Sequence, residues 1–153
     1  MPKAKPIPEG FHTLTPYLIV NDAAKAIDHY RNAFGATEVS RHEDDDGGVR
    51  HAEIRVGDSM IMLTEETPAW PDWKSPLARG GTPVHLYLYV EDADRVFAQA
   101  IAAGATELLP MKDQPYGDRS GGLTDPFGHV WYVATHIEDV TPEEMKRREE
   151  ARV

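Results

Sequence analysis

One short segment of the chain places a histidine and two tyrosines at alternate positions, separated by leucines. Both histidine and tyrosine side chains can exchange protons with a bound molecule. His85, Tyr87 and Tyr89 are spaced two residues apart, so an extended strand would present them on one face. Because imidazole titrates near neutral pH, it suits general acid–base chemistry. We therefore take His85 as the leading catalytic candidate and the two tyrosines as ligand-binding candidates. A hydrogen-bonded wall without a catalytic role is the alternative.

His51 and Glu53 form a second pair with the same spacing. On a strand they share a face, where the carboxylate can orient the imidazole ring. They are equally consistent with cross-strand partners that contribute about 0.2–1 kcal/mol each. Tyr17 alternates with apolar residues on an earlier strand. We expect all three side chains to contact a ligand.

The glycine-flanked segment 116–121 carries further polar side chains. Arg119 can grip a carboxylate or phosphate with two parallel hydrogen bonds while Asp118 fixes its orientation. Tyr116 adds an aromatic hydroxyl, so these three residues are also predicted to bind the ligand. A salt-bridged loop that closes the cavity is the alternative.

An internal repeat positions these candidates. Residues 17–23 recur as 87–93, 70 positions later, and residues 35–38 recur as 104–107, 69 positions later. Self-similarity with a preserved interval indicates a duplicated structural unit.

Each copy predicts a strand, a helix and then three strands. Asp22 and Asp92 stand at the helix starts, where a carboxylate caps the first-turn amides, and Gly35 and Gly104 stand at the helix ends. The later strands are predicted near 38–42, 49–56 and 59–64 in the first copy, and near 107–111, 123–125 and 129–136 in the second, with 116–122 as a loop.

The predicted fold is therefore α+β, with two tandem βαβββ modules that form a curled mixed sheet around a cavity. Within a single domain spanning 1–153, we assign 11–66 to the first module, 67–81 to a linker, 82–138 to the second module and 139–153 to a charged helical tail. The linker contains Trp70 and Trp73. These can cap a ligand or pack against a dimer partner, and we favour packing.

Strand alternation separates a core face from a second face in each module. Leu86 and Leu88 are apolar and should meet the helices, whereas the alternate positions hold His85 and the two tyrosines that follow it. The second face can be solvated, as is common in antiparallel sheets. We favour a ligand cavity, because such cavities combine aromatic walls with a few polar groups.

Composition excludes several classes of function. The chain has 16 Lys and Arg against 26 Asp and Glu, a formal charge of -10, which disfavours nucleic acid and anionic membrane partners. With no cysteine, a metal would need His, carboxylate or Tyr ligands. The first ten residues lack the apolar stretch of a secretory signal, so we expect a cytoplasmic protein.

The motifs at 15–20 (TPYLIV), 26–30 (AIDHY) and 125–129 (DPFGH), within the paired modules, resemble the vicinal oxygen chelate superfamily. This superfamily includes glyoxalases, extradiol dioxygenases, and bleomycin- and fosfomycin-resistance proteins. The resemblance covers about residues 13–139. The segment YGDRSG at 116–121 resembles a largely uncharacterised, glyoxalase-like branch.

The resemblance implies four metal-ligand positions, which motif counting places at Thr15, Ile61, His85 and Tyr132. His85 is the one conventional ligand, since tyrosine coordinates only when deprotonated and isoleucine cannot coordinate. We therefore expect no metal cofactor. If a divalent metal does bind, His51 and Glu53 are the residues to join His85.

Three functions follow from these observations. The first is a metal-free protein that binds a small, partly aromatic or cationic compound, as the resemblance to bleomycin-resistance proteins implies. The second is a metal-dependent lyase, isomerase or dioxygenase acting on a small vicinal-oxygen substrate. The third is metal-free acid–base catalysis by His85 with Tyr87 or Tyr132. The resemblance also implies a homodimer, either of closed chains or with swapped modules.

Overall fold

The computed structural model describes residues 3–152 and confirms the α+β class. The first module consists of β1 (Tyr17–Val20), α1 (Ala23–Phe34), β2 (Thr37–Glu43), β3 (Val49–Val56) and β4 (Ser59–Glu65). The second follows a short helix, α2 (Pro76–Arg79), and consists of β5 (His85–Tyr89), α3 (Ala93–Ala102), β6 (Thr106–Asp113), β7 (Asp118–Thr124) and β8 (Val130–His136). A charged helix, α4 (Pro142–Ala151), ends the described chain.

Each module forms its own four-stranded mixed sheet. The strand orders are β1-β4-β3-β2 and β5-β8-β7-β6. In each sheet the first and last strands of the module pair in parallel, and the other neighbours are antiparallel. The registers also correspond. Tyr17 lies opposite Met62 in the first sheet, and Tyr87 lies opposite Tyr132 in the second, so both partners are shifted by the 70 positions of the repeat. The duplication seen in the sequence is therefore a duplication of sheet topology.

Local signals set both helix starts and the end of α1 as predicted, whereas α3 is capped by Ala103, one residue before the predicted Gly104. Asp22 accepts from the Lys25 amide and Asp92 from the Arg95 amide, each at 3.1 Å, and such caps contribute about 1 kcal/mol each. Gly35 closes α1 with φ 70°, a left-handed conformation that glycine adopts without steric cost.

The glycine-rich segment 118–124 corrects one prediction. It is strand β7 rather than a loop, because its backbone pairs with β8 along its whole length, from Asp118 opposite His136 to Thr124 opposite Val130. Tertiary pairing overrides the low strand propensity of glycine. The predicted linker likewise contains helix α2.

The helices lie between the two sheets. α1 covers the apolar face of the first sheet, where Val20 and Ile54 are fully buried, and α3 covers that of the second. The two helices pack on each other, and Phe34 of α1 lies 4.6 Å from Trp131 of β8, measured between ring centroids. One core thus spans both modules, and the predicted core faces are confirmed.

This arrangement leaves the second face of each sheet on the outside of the chain. The strands form two separate sheets that are not closed on each other, and the two polar aromatic recesses described below lie on different sheets. Within residues 3–152, no helix is long and apolar enough to cross a membrane.

Candidate functional site

The second module carries the larger aromatic recess, which we call the module-2 recess. Its volume is about 460 Å³. It is lined by His85, Tyr87, Leu109, Gln114, Tyr116, Ser120, Gly121, Gly122 and Tyr132. Strand alternation places most of these side chains on the same face, as the sequence predicted.

Three rings form one wall of this recess. Tyr87 and Tyr132 stack with centroids 5.8 Å apart and an interplanar angle of 17°. The ring of His85 lies 5.4 Å from Tyr132. Gly122 keeps the floor open, because a Cβ atom there would come within 3.1 Å of the Tyr132 ring. The result is an open, flat-sided space suited to a planar compound.

A buried carboxylate lies beneath the tyrosine hydroxyls. Asp118 is 3% exposed, and Tyr87 and Tyr89 donate to its Oδ2 atom at 2.7 and 2.9 Å. His136 Nδ1 lies 2.8 Å from Asp118 Oδ1, and its Nε2 lies 2.8 Å from Asp139 Oδ1. An imidazolium can donate to both carboxylates at once.

This network shifts the pKa of each member in a consistent direction. Burial alone would raise the pKa of Asp118, but hydrogen bonds from His136, Tyr87 and Tyr89 outweigh burial and lower it. Asp139 and then Asp118 raise the pKa of His136. The pKa of Tyr87 is raised, first by burial and then by Asp118, and that of Tyr89 chiefly by its bond to Asp118. Both tyrosines therefore stay protonated at neutral pH and offer their oxygen lone pairs to a ligand.

His136 was not among the residues selected from the sequence. The sequence signal that could have identified His136 was the alternation of residues along β8, which puts Tyr132 and His136 on one face. The hydrogen bond to Asp118 could not be foreseen, because segment 118–124 was predicted mainly as a loop.

Arg119 lies outside the recess. Strand alternation in β7 points it to the helix side, where its guanidinium forms hydrogen bonds of 2.7 and 2.9 Å with Asp94 and one of 3.1 Å with Asp113. The predicted pairing of Arg119 with Asp118 around a ligand does not form, because neighbouring strand residues face opposite sides. The alternative salt-bridged role matches these contacts.

A second recess lies on the first sheet, which we call the module-1 recess. Its volume is about 190 Å³, and it is lined by Tyr17, Arg50, Thr64, Glu65, Thr67, Trp70 and Trp73. At its edge, Tyr17 Oη lies 3.0 Å from His51 Nδ1, and His51 Nε2 lies 3.1 Å from Glu53 Oε2. The structure thus brings Tyr17, His51 and Glu53 together.

The charges around Tyr17 oppose one another. Burial raises the pKa of its phenol, the positive charge of Arg50 lowers it, and the negative charge of Glu53 raises it, with a net increase. Tyr17 is therefore a neutral phenol at physiological pH.

The positions implied for a metal do not fit a metal. The pairing of Tyr17 with Met62 corrects the motif count by one residue, since Ile61 is 4% exposed on the core face. The implied set is then Thr15, Met62, His85 and Tyr132, in which a single imidazole is the one strong ligand for Zn, Fe or Ni.

The alternative set of metal ligands, His51 and Glu53 with His85, is split between the two sheets. His85 lies on the second sheet and His51 and Glu53 on the first, so the three do not converge within the chain. Across residues 3–152, no cluster of three His, Cys, Asp or Glu side chains could hold a metal ion.

Comparison with known proteins places this geometry in context. Residues 10–133 match the family model of the Glyoxalase/Bleomycin resistance protein/Dioxygenase superfamily. An uncharacterised protein of Mycobacterium bovis is 42% identical over 135 residues, which cover 87% of this chain and 89% of that protein.

Solved structures share the fold. TioX from Micromonospora sp. ML1 is 27% identical with a TM-score of 0.66, covering 82% of this chain and 99% of that one. A glyoxalase/bleomycin resistance protein/dioxygenase family enzyme from Burkholderia phytofirmans is 21% identical with a TM-score of 0.65, covering 80% and 97%. At that identity the likeness to the Burkholderia protein concerns the fold alone.

Proposed function

Since the chain belongs to the glyoxalase/bleomycin resistance protein/dioxygenase superfamily, we propose that it is a small-molecule-binding protein that works without the metal used by the metal-dependent members. The ligand occupies the module-2 recess. The observation that carries the proposal is the stacked Tyr87–Tyr132 wall over a floor that Gly122 leaves free of side chains.

The chemistry of the recess favours a planar ligand with a partial positive charge. Aromatic faces attract cations through their quadrupole, with about 0.5–2 kcal/mol per contact. Asp118 adds a buried negative charge beneath the hydroxyls of Tyr87 and Tyr89. Those hydroxyls already donate to Asp118, so they accept hydrogen bonds from the N–H groups of a ligand.

Metal-dependent lyase, isomerase or dioxygenase chemistry is the competing function. It requires a divalent ion that polarises two oxygens of the substrate. Thr15, Met62, His85 and Tyr132 supply too few strong ligands for such an ion, so no step of this proposal uses one. Elemental analysis of the purified protein tests this point, because one equivalent of bound metal would reverse the choice.

In this proposal the active form is a homodimer in which each module-2 recess faces the module-1 recess of the partner. Both recesses lie open on the outside of the chain. β1 and β5 are outer strands, each paired on one side, and the apolar Leu14 and Val84 before them are 85% and 62% exposed. Sedimentation analysis checks the dimer, and Val84→Asp should shift it towards monomer.

Binding is tested with a set of planar compounds matched in shape: an aromatic amidinium, the neutral amide and the carboxylate. We expect the amidinium to bind most tightly and to shift the backbone NMR signals of Gly121 and Gly122. Tyr132→Phe keeps the ring and should keep binding, whereas Gly122→Ala should weaken binding while the fold stays intact. Equal affinity of all three compounds, or binding unaffected by Gly122→Ala, would refute the assignment.

A further inference from the structure

Tyr17, which lines the module-1 recess, begins a hydrogen-bond chain that continues through His51 to Glu53 at the edge of the recess. The ionised Glu53 carboxylate can only accept, so His51 carries its proton on Nε2 and donates it to Glu53 at 3.1 Å. The Nδ1 lone pair of His51 is then left to accept the Tyr17 hydroxyl at 3.0 Å. In this arrangement His51 is connected to the recess through the hydroxyl of Tyr17.

The duplicated module lacks this chain. Glu53 lies opposite Met62 in the first sheet, and Gly122 lies opposite Tyr132 in the second. The position that holds the carboxylate in one module is therefore bare in the other. The two recesses therefore differ at this position, which is open in one and carries a carboxylate in the other.

Aromatic side chains flank the outer end of the chain. The rings of Tyr17 and Trp73 meet edge to face with centroids 5.9 Å apart, and Trp70 lies 5.8 Å from Trp73. Trp70 and Trp73 are 55% and 43% exposed. Exposed indole rings beside a recess of about 190 Å³ suit one aromatic ring of a ligand.

A cation also lines the module-1 recess. Arg50 donates from Nη2 to the backbone carbonyl of Glu65 at 3.0 Å, while its buried Nε has no hydrogen-bond partner. The nearest carboxylate is Asp44, whose Oδ2 lies 3.3 Å from this Nε as an ion pair. The other charged group that lines the recess is Glu65, whose Oε1 accepts from the Ala23 amide at 2.9 Å. Glu66 and Lys74 line the adjoining space beside Trp70 and Trp73. Arg50 therefore brings a positive charge, shared with Asp44, to the wall of the recess.

We propose that the module-1 recess binds a phenol, or another small aromatic compound with a weakly acidic hydroxyl, and removes its proton. The ligand O–H bond breaks as its proton bonds to the Tyr17 oxygen, while the proton of Tyr17 moves to His51 Nδ1. The products are a bound phenolate, a neutral tyrosine and an imidazolium paired with Glu53, so charge is conserved and no electrons are transferred. Arg50 stabilises the phenolate, and Trp70 and Trp73 contact its ring.

Within one chain this site has a lining different from that of the module-2 recess, and it takes a ligand of the opposite charge. In the proposed dimer it faces the module-2 recess of the partner. Tyr17 is the catalytic residue because it touches the ligand. His51 and Glu53 act through it, and Glu53 is a positioning residue that holds the imidazole and stabilises its charged form.

The probe is p-nitrophenol, whose phenolate is coloured and whose phenol is not. At a pH below the midpoint of the free dye, the phenolate-to-phenol ratio of bound dye should rise about tenfold, which corresponds to one pKa unit. Tyr17→Phe and His51→Gln should abolish this rise, although the dye still shifts the indole N–H signals of Trp70 and Trp73. His12→Gln removes an exposed imidazole elsewhere and should leave the rise unchanged.

A second readout follows the proton itself. In ¹⁵N NMR spectra, binding of p-nitrophenol should convert His51 from the neutral Nε2–H tautomer to imidazolium, and Glu53→Gln should suppress this conversion. A bound dye that stays phenol, or a rise that survives in His51→Gln, overturns the proposal. So does an absence of binding, or a response at Gly121 and Gly122 instead of the indoles. The last result would leave the module-2 assignment standing.

Discussion

Gly121 and Gly122 are neighbours on β7 that face opposite sides of the sheet, and alanine at each should have opposite consequences. A Cβ atom at Gly121 would lie 2.7 Å from the sulfur of Met111 and 2.9 Å from the Phe97 ring. At Gly122 the closest atom is the Tyr132 ring at 3.1 Å. The first contact enters the core between α3 and its sheet, and the second enters the module-2 recess.

The expected magnitudes differ because the neighbours differ. Van der Waals contact between carbon atoms is optimal at about 3.5–4.0 Å, so Gly121→Ala forces the buried Phe97 and the partly buried Met111 to move and should cost about 1–3 kcal/mol. Replacement of glycine also removes about 0.4–1 kcal/mol of unfolded-state entropy. For Gly122→Ala this stabilisation should nearly offset the energetic cost of moving the half-buried Tyr132 ring by a few tenths of an ångström.

Urea and thermal unfolding of both variants test this reasoning. A loss of 1 kcal/mol lowers the melting temperature of a chain of this size by about 2–4 °C, so a cost of about 1–3 kcal/mol should make Gly121→Ala melt about 2–12 °C below the wild type. Gly122→Ala should melt near the wild type and lose affinity for the module-2 ligand. An equal loss of stability in both variants, or a larger one for Gly122→Ala, would contradict the face assignment.

Three other predictions concern single side chains. The buried Asp125 carboxylate accepts hydrogen bonds from four donors: the Tyr30 hydroxyl, the Trp131 indole, and the backbone amides of Phe127 and His129. Asp125→Ala leaves all four without their acceptor, so it should lower the free energy of unfolding in urea by more than about 3 kcal/mol. A loss below about 1 kcal/mol would show that water replaces the carboxylate. His136 has a raised pKa in the folded chain, so its contribution to stability is full at acidic pH and fades as pH rises through that pKa. The stability difference between wild type and His136→Gln should therefore shrink above neutral pH, and a difference that grows with pH would exclude the bond to Asp118 as its source. His85→Ala should remove an exposed wall residue of the module-2 recess, abolishing amidinium binding with almost no change in melting temperature; a large loss of stability would make His85 structural.

Repetition and short-range patterns were readable from the sequence alone. The repeat of residues 17–23 at 87–93 predicted two copies of one topology, because equal sequences favour equal local structure. Asp22 and Asp92 marked the helix starts, since the capping bond joins residues only three apart. Strand alternation assigned Leu86 and Leu88 to the face that packs on the core, because the side-chain period of a strand depends on nothing beyond the strand.

Contacts between distant segments were decided by tertiary structure. The pairing of 118–124 with β8 made a strand from a glycine-rich segment, and it sent Asp118 and Arg119 to opposite faces. The register between β1 and β4 showed that the implied metal-ligand position is Met62 and not Ile61. Both outcomes depend on hydrogen bonds to another strand, which the local sequence does not encode.

The division of the candidate site into two recesses was also a tertiary outcome. The sequence identified Tyr17, His51, Glu53, His85 and Tyr87 as side chains of the second sheet faces, but it could not say whether those faces meet. Packing of α1 against α3 settled this, because the helices fill the space between the sheets and turn both recesses outward. Sequence thus determined which residues share a face, and the packing of helices determined which faces share a site.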